Sequence, residues 1–148
     1  MDEPVPTNEE ALAMAIIWNA ERMATGVQEV DEQHKELIRH FNEFHEAMAH
    51  GKGQATAIRL LSFLADYTET HFTCEEDCMR RYKCPAAAAN LAAHNFLRQE
   101  IARLRGHIKD NKLTIMDLVK VEQTLGAWIQ DHICSVDIQL RGCVPPSR

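Results

Sequence analysis

The sequence predicts an all-α fold: an antiparallel up-down-up-down four-helix bundle with an N-terminal arm. Three observations predict it. Helix breakers are scarce, with 6 Gly and 5 Pro in 148 residues. Apolar residues recur at three- and four-residue spacing in four stretches, each long enough for a helix of about 30 Å. Short polar turns separate the stretches, which makes neighbouring helices antiparallel.

Pro4 and Pro6 mark an arm, and Thr7-Asn8-Glu9-Glu10 has the form of a capping box, so a short helix is expected to follow to Ile17. Residues 1–17 form the arm, 18–140 the bundle and 141–148 a frayed tail. Trp18 to Val30 carries Gly26 and no stable period, and reads as an irregular connector. Asp31 reads as the N-cap of the first long helix, which ends at His50-Gly51-Lys52-Gly53; its inward stripe is His34, Leu37, Ile38, Phe41, His45 and Met48. The second helix runs from Ala55 to Tyr82, with stripe Ile58, Leu61, Leu64, Thr68, His71, Glu75 and Cys78. Pro85 suits the first turn of the third, which continues to Lys109 through Ala87, Asn90, His94, Leu97, Ile101, Leu104 and Ile108. Thr114 caps the fourth, with stripe Leu118, Val121, Leu125, Trp128 and His132.

Composition narrows the function. Hydrophobic residues at 45% and charged residues at 26% are globular values and argue against a disordered chain. The net charge is −6 and no block of Lys or Arg stands out, which disfavours nucleic acid and anionic membranes. The apolar run from Ala11 to Trp18 is too short to span a bilayer. Five Cys, an odd number, suit a reduced cytoplasmic setting.

The inward stripes carry an unusual polar content. His34, His71, Glu75, Asn90, His94 and His132 stand where Leu or Ile would be expected, and a buried charge without a partner is costly. In an antiparallel bundle they fall in one layer at one end. A lone core His is usually just hydrogen-bonded, but polar residues on all four helices at one level point to metal. His71 and Glu75 are four apart, about 40° on the wheel, so both aim at one locus. Asn90 and His94 repeat that spacing. His132 and Asp137 are five apart, and need a π-type widening or a fraying helix end to face the same way. Imidazoles with carboxylates suit Fe, Mn or Zn, and bridging carboxylates suit a metal pair.

Trp18, Gly26, Asp31-Glu32-Gln33-His34-Lys35, His71-Phe72-Thr73-Cys74-Glu75-Glu76, Met79, Pro85, His94 and Trp128…His132-Ile133…Asp137 together resemble the hemerythrin family, specifically its single-domain bacterial branch. The resemblance runs without gaps from Trp18 to about Leu140. It implies two iron ions (Fe2+/Fe3+) with a bridging oxygen species, binding O2 or another small ligand. His34 and His71 resemble ligands of the iron with an open position. His94 and His132 resemble ligands of the other, and Glu75 and Asp137 the bridging carboxylates. The departure is Asn90, where the family's third helix has a His one turn before His94. The amide oxygen of Asn90 can bind iron weakly, or hold a water, or form only a structural hydrogen bond. The layer then holds two metals, one or none.

Leu37, Ile38, Phe41, Leu97 and Trp128 are core residues that double as walls of the small-ligand pocket. The expected function is reversible O2 binding by a monomer, for carriage, local delivery or sensing. Two alternatives stand beside it: a di-iron oxidase, peroxidase or NO-reducing enzyme, and a metal-poor bundle used for protein interaction. A zinc site from His71, Cys74, Cys78 and Cys84 is a third option for the metal, weaker for its irregular spacing.

Overall fold

The computed structural model describes residues 15–110 and 112–145. Its elements are α1 (Ala20–Met23), α2 (Gln28–Ala49), α3 (Gly53–Tyr67), α4 (Thr73–Arg81), α5 (Ala87–Gly106) and α6 (Ile115–Ser135). A π-helical turn, Thr68–Phe72, carries α3 into α4, and a 3-10 turn, Asp137–Gly142, follows α6. No strand occurs among the described residues, and none of their helices is long and apolar enough to cross a membrane. The rods are α2, α3–α4, α5 and α6. α2 packs on α3 and α6, and α5 packs on α3, α4 and α6. The helix expected between Thr7 and Ile17 falls mostly on residues 1–14, outside the described residues.

Local differences from the expectation have physical causes. α2 starts at Gln28, a turn before Asp31, and Val27 at its N-cap makes no side-chain cap bond. The Asp31 carboxylate instead accepts from the backbone N–H and the hydroxyl of Thr25, both at 2.8 Å, and so ties the connector to the helix. Within that connector Asn19 caps α1 by accepting from the backbone N–H groups of Glu21 and Arg22. α2 stops at Gly51, whose φ of +67° only Gly takes without strain, and the Lys52 N–H donates back to the Ala47 carbonyl at 2.8 Å.

The π turn falls at 68–72, not near His132. It adds one residue to a turn, and Glu75 beyond it faces inward as expected. Met79 is fully buried where Cys78 was expected, and Cys78 is only half-buried. On α6, a regular helix throughout, Ile129 is completely buried and Trp128 only half-buried.

Two apolar clusters result. The main one fills the bundle around Phe41, Phe44, Leu60, Leu61, Leu64 and Ile129. The second, Val30, Met79, Cys84, Ala86 and Leu140, closes the end of the bundle beyond the polar layer. Here two of the cysteines depart from the expected reduced state: Cys84 and Cys143 form a disulfide across 59 residues, which ties down the described part of the tail. The two sulfurs meet because the 3-10 turn folds back over α4 and buries Leu140 completely. The Arg141 guanidinium also donates to the backbone carbonyls of Ala20, Glu21 and Ala24. Residues 146–148 lie outside the described residues.

α6 begins with a true capping box. The Thr114 hydroxyl accepts from the Asp117 N–H at 3.1 Å, and the Asp117 carboxylate accepts from the Thr114 N–H at 3.4 Å. The same carboxylate meets His107 at 3.1 Å. His107 and the Thr114 bonds hold the Asp117 carboxyl below its ordinary range. A depressed carboxyl stabilises the fold above its unfolded value, about pH 3.9, and loses that effect as pH falls through the folded one. Thr114→Ala is expected to cost about 1 kcal/mol in urea unfolding at pH 7. Asp117→Asn is expected to flatten the acid limb of stability between about pH 5 and pH 3, in a pH series of melts.

Gly126 sits mid-helix in α6, where Ala would be about 1 kcal/mol better on propensity alone. A Cβ built there would lie 2.9 Å from Cζ of the buried Phe41 ring. Gly126→Ala is therefore expected to destabilise, because overpacking costs about 1–3 kcal/mol and outweighs the propensity gain. The double variant with Phe41→Leu should recover part of that loss, and a chemical-denaturation cycle measures it.

Candidate metal centre

The structure brings His34, His71, Glu75, His94, His132 and Asp137 together. Glu75 is at its middle: Oε1 lies 2.7 Å from His34 Nε2 and against His71 Nε2, and Oε2 lies 3.4 Å from His94 Nε2. Asp137 comes in from the 3-10 turn, with Oδ2 3.0 Å from His34 Nε2 and Oδ1 3.0 Å from His132 Nε2. His94 Nε2 and His132 Nε2 are 3.1 Å apart. All six groups are buried. α6 ends at Ser135 and the chain tightens into the 3-10 turn, which solves the five-residue spacing between His132 and Asp137.

The atoms fall into two overlapping sets: His34, His71, Glu75 and Asp137, and Glu75, His94, His132 and Asp137. Within each set the ligand atoms lie within 4.8 Å of one another. The two carboxylates belong to both sets, so each half has two imidazoles and a share in two carboxylates.

The donor atoms fit a cation better than they fit one another. Glu75 Oε2 and both Asp137 oxygens are buried without a hydrogen-bond partner, although imidazole nitrogens stand within 3.0–3.4 Å of them. Atoms this close with no hydrogen bond along the line between them are aimed at a shared point. Electrostatics agree. Burial opposes the charged form of Glu75, but the His71 and His34 imidazoles outweigh it and hold its carboxyl well below the usual carboxylate range. Burial also opposes the charged form of His34, but Glu75 and Asp137 overcome this and raise it to about 10. His71 goes the other way, lowered by burial and by the neighbouring His34. In the metal-free layer one imidazolium thus offsets the acid groups, in the place where a cation would sit.

A ring of further residues fixes the imidazoles. His71 Nδ1 is bonded to the Gln33 amide oxygen, and the Tyr67 hydroxyl donates to the Gln33 carbonyl. Tyr67 also stacks on His71, with centroids 4.8 Å apart. Burial, with Glu75 and Asp137 nearby, raises the Tyr67 phenol, so it remains a donor. His94 Nδ1 meets Glu76 Oε2 at 3.0 Å, and the Arg98 guanidinium donates to that oxygen at 2.9 Å. Phe72 lies flat on His94 at 3.7 Å and 4°, and Trp128 on His132 at 4.4 Å and 15°. Tyr67 and Arg98 had no place in the sequence reading, and Gln33, Phe72 and Glu76 entered it only within the motifs of the resemblance, without a role of their own. A polar residue next to each foreseen ligand, Gln33 before His34 and Glu76 after Glu75, was the available signal.

The remaining candidates divide. Leu37, Phe41 and Leu97 belong to the main cluster, and Trp128 packs against it. Asn90 is fully buried one turn before His94, and neither atom of its amide has a hydrogen-bond partner. That contradicts a purely structural hydrogen bond for this side chain. The zinc alternative fails: Cys84 is bonded to Cys143, and no cysteine joins a metal-capable group among the described residues. His45 pairs with Glu122 at 2.9 Å, away from the layer.

Comparison with known proteins places this geometry. The family model described as Hemerythrin HHE cation binding domain matches residues 25–140. A bacteriohemerythrin of Pseudomonas aeruginosa (strain LESB58) is 27% identical over 122 residues, 82% of this chain and 76% of that protein. One of Methylococcus capsulatus is 28% identical over 120 residues, 81% of this chain and 89% of that protein. A crystal structure of a hemerythrin point mutant superposes with a TM-score of 0.70 at 27% identity, covering 86% of this chain and 95% of that one. The family model spans every residue of the layer, from His34 to Asp137, and the chain belongs to the hemerythrin family.

Proposed function

We propose that this chain holds two iron ions in the layer and binds O2 reversibly, for carriage, local delivery or sensing. The observation that supports it most is the pair of overlapping two-imidazole sets that share Glu75 and Asp137, with carboxylate oxygens buried and without hydrogen-bond partners. His34 and His71 would hold one ion and His94 and His132 the other. Ferrous iron, when bound, supplies the electrons and the open coordination that O2 binding needs.

The protein's part is orientation and dryness. Gln33 and Glu76 fix His71 and His94 through their Nδ1 atoms, which leaves Nε2 of each pointing inward. Phe72 and Trp128 stack over the second pair of imidazoles, and Leu37, Phe41 and Leu97 wall the adjoining core. Such walls admit a small apolar gas and keep bulk water out.

Asn90 sets this chain apart. Each half has only two imidazoles, and next to the His94 half lies a buried amide with no partner. We read Asn90 as a weak ligand, or as the holder of a water or small ligand, on that half. The same observation favours a second reading, a redox enzyme, since small ligands would then have access to both halves.

Anaerobic loading with Fe(II), elemental analysis and optical spectra before and after O2 test the proposal. The expected result is up to two iron per chain and an O2-dependent spectrum that reverses when O2 is removed. No bound iron after loading ends the reading, and steady turnover with a reductant favours the enzyme. Loading should also raise the melting temperature. A ligand at 100 times its Kd adds about 2.7 kcal/mol of stability, and equal melts for metal-free and loaded protein would contradict site binding.

Asn90→His places a third imidazole on the second half. The expected result is slower loss of iron to a chelator and slower decay of the oxygenated form. Asn90→Ala should do the reverse, with at least a several-fold change in chelation rate. Neither variant moving the rate, the spectrum or the decay would show that Asn90 has no part in the chemistry.

A further inference from the structure

The Cys84–Cys143 disulfide stands on the same short segment that delivers Asp137. We infer that it is a redox-controlled latch: oxidised, it holds the 3-10 turn and its Asp137 carboxylate in the metal layer; reduced, it lets them loosen. The effect on metal retention rests on the metal reading above, while the effect on the segment does not.

The argument starts from how that segment is held. Asp137 is the only ligand of the layer that no long helix carries; α6 has ended at Ser135. Asp137–Gly142 is a six-residue 3-10 helix, whose geometry is poorer than that of an α-helix and does not hold itself in place. Its outside anchors are the Asp137 carboxylate between His34 and His132, the buried side chain of Leu140 with Val144 packed on the same cluster, the Arg141 guanidinium on the carbonyls beside α1, and the disulfide. The Arg141 bonds are exposed and compete with water. The disulfide is the one covalent anchor. Its other end, Cys84, is buried in the turn between α4 and α5, between Met79 and Ala86 of the closing cluster. The bond therefore couples the Asp137 segment to the hairpin whose two arms carry Glu75 and His94.

The chemistry is accessible from one side. Cys84 is buried and Cys143 is partly exposed. A dithiol reductant attacks with one thiolate at the Cys143 sulfur. The bond between the two protein sulfurs breaks, and Cys84 leaves as a thiolate and takes a proton. The second thiol of the reductant then displaces Cys143, which takes up a proton in turn. Two electrons and two protons pass from the dithiol, which ends as a disulfide. Cys74 and Cys78 pack on the same cluster and stay outside the disulfide. The electrons that open the latch come from the outside dithiol. In a reducing cytosol, where disulfides tend to be transient and sensing, it would mark an oxidised state of the cell.

The test uses the full chain, purified without reductant and split into an untreated sample and one treated with a dithiol that is then removed under argon. Alkylation and mass spectrometry count thiols: three free cysteines in the untreated protein and five after treatment are expected. Five free thiols in untreated, air-exposed protein would overturn the latch. Hydrogen exchange on the metal-free protein should rise at least tenfold at residues 136–144 on reduction, with α5 little changed. Equal exchange there in both forms overturns the proposal, whether or not iron binds. On Fe(II)-loaded protein, reduction should speed iron loss to a chelator about tenfold; iron that binds but leaves at equal rates from both forms also overturns it. Cys143→Ser should match the reduced form and be indifferent to the dithiol. A dithiol effect of the same size in that variant would assign the effect to the iron rather than the latch. If Cys143→Ser does not fold, the reduced natural chain carries the same comparison.

Discussion

Two carboxyl groups, Glu75 and Asp137, lie fully buried between four imidazoles, and the rest of the molecule is arranged around the need to satisfy them. Neither is at home in an apolar bundle. In the metal-free protein one protonated imidazole, His34, offsets their charge in part, while several of their oxygens have no hydrogen-bond partner. A cation in the layer would resolve that conflict. Removing one partner from such a network leaves an uncompensated buried charge, which costs far more than the network contributes when whole.

Everything adjoining the layer restricts how its members can move. The Nδ1 atoms of His71 and His94 are engaged by side chains from neighbouring helices, and aromatic faces lie against His71, His94 and His132. Arg98 in turn holds Glu76, so the orientation of His94 depends on a residue that reaches the surface. Rigidity of this sort narrows the donor geometry before any ion arrives. The exception is Asn90, buried and without a partner beside a ring of well-fixed neighbours.

Much of this was legible in the sequence, because its strongest signals were periodic. Spacings of three and four residues found the four rods, and polar residues on the inward stripes at one level found His34, His71, Glu75, His94 and His132. Asp137 was singled out by its five-residue gap from His132, which has no fixed direction on a helix, and its part as a bridging carboxylate came only from the resemblance. What could not be read is what depends on local departures from regularity. No residue type announces the π turn at 68–72, and past it Met79 faces in where Cys78 was expected. Cys84 and Cys143 stand 59 residues apart, and an odd count of cysteines says nothing about which two will meet. The roles of Gln33, Glu76 and Arg98 depend on side-chain reach between helices, which spacing along one helix does not encode.

The π turn also governs which changes of chain length this fold can accept. That turn holds one residue more than an α turn needs, so a residue removed from 68–72 would leave a regular helix with every later position on its present face. A residue removed from 54–66 would instead swing every later position by about 100° about the axis, and Glu75 would leave the layer and Met79 the closing cluster, although neither had been substituted. A residue added in the turn at 50–52 would be taken up by the loop, with no rotation passed on. The second rod thus has one place, among residues that look ordinary, where it accepts a change of length. In a lineage of such chains, a shortening of this rod would fall at 68–72 before anywhere else in it.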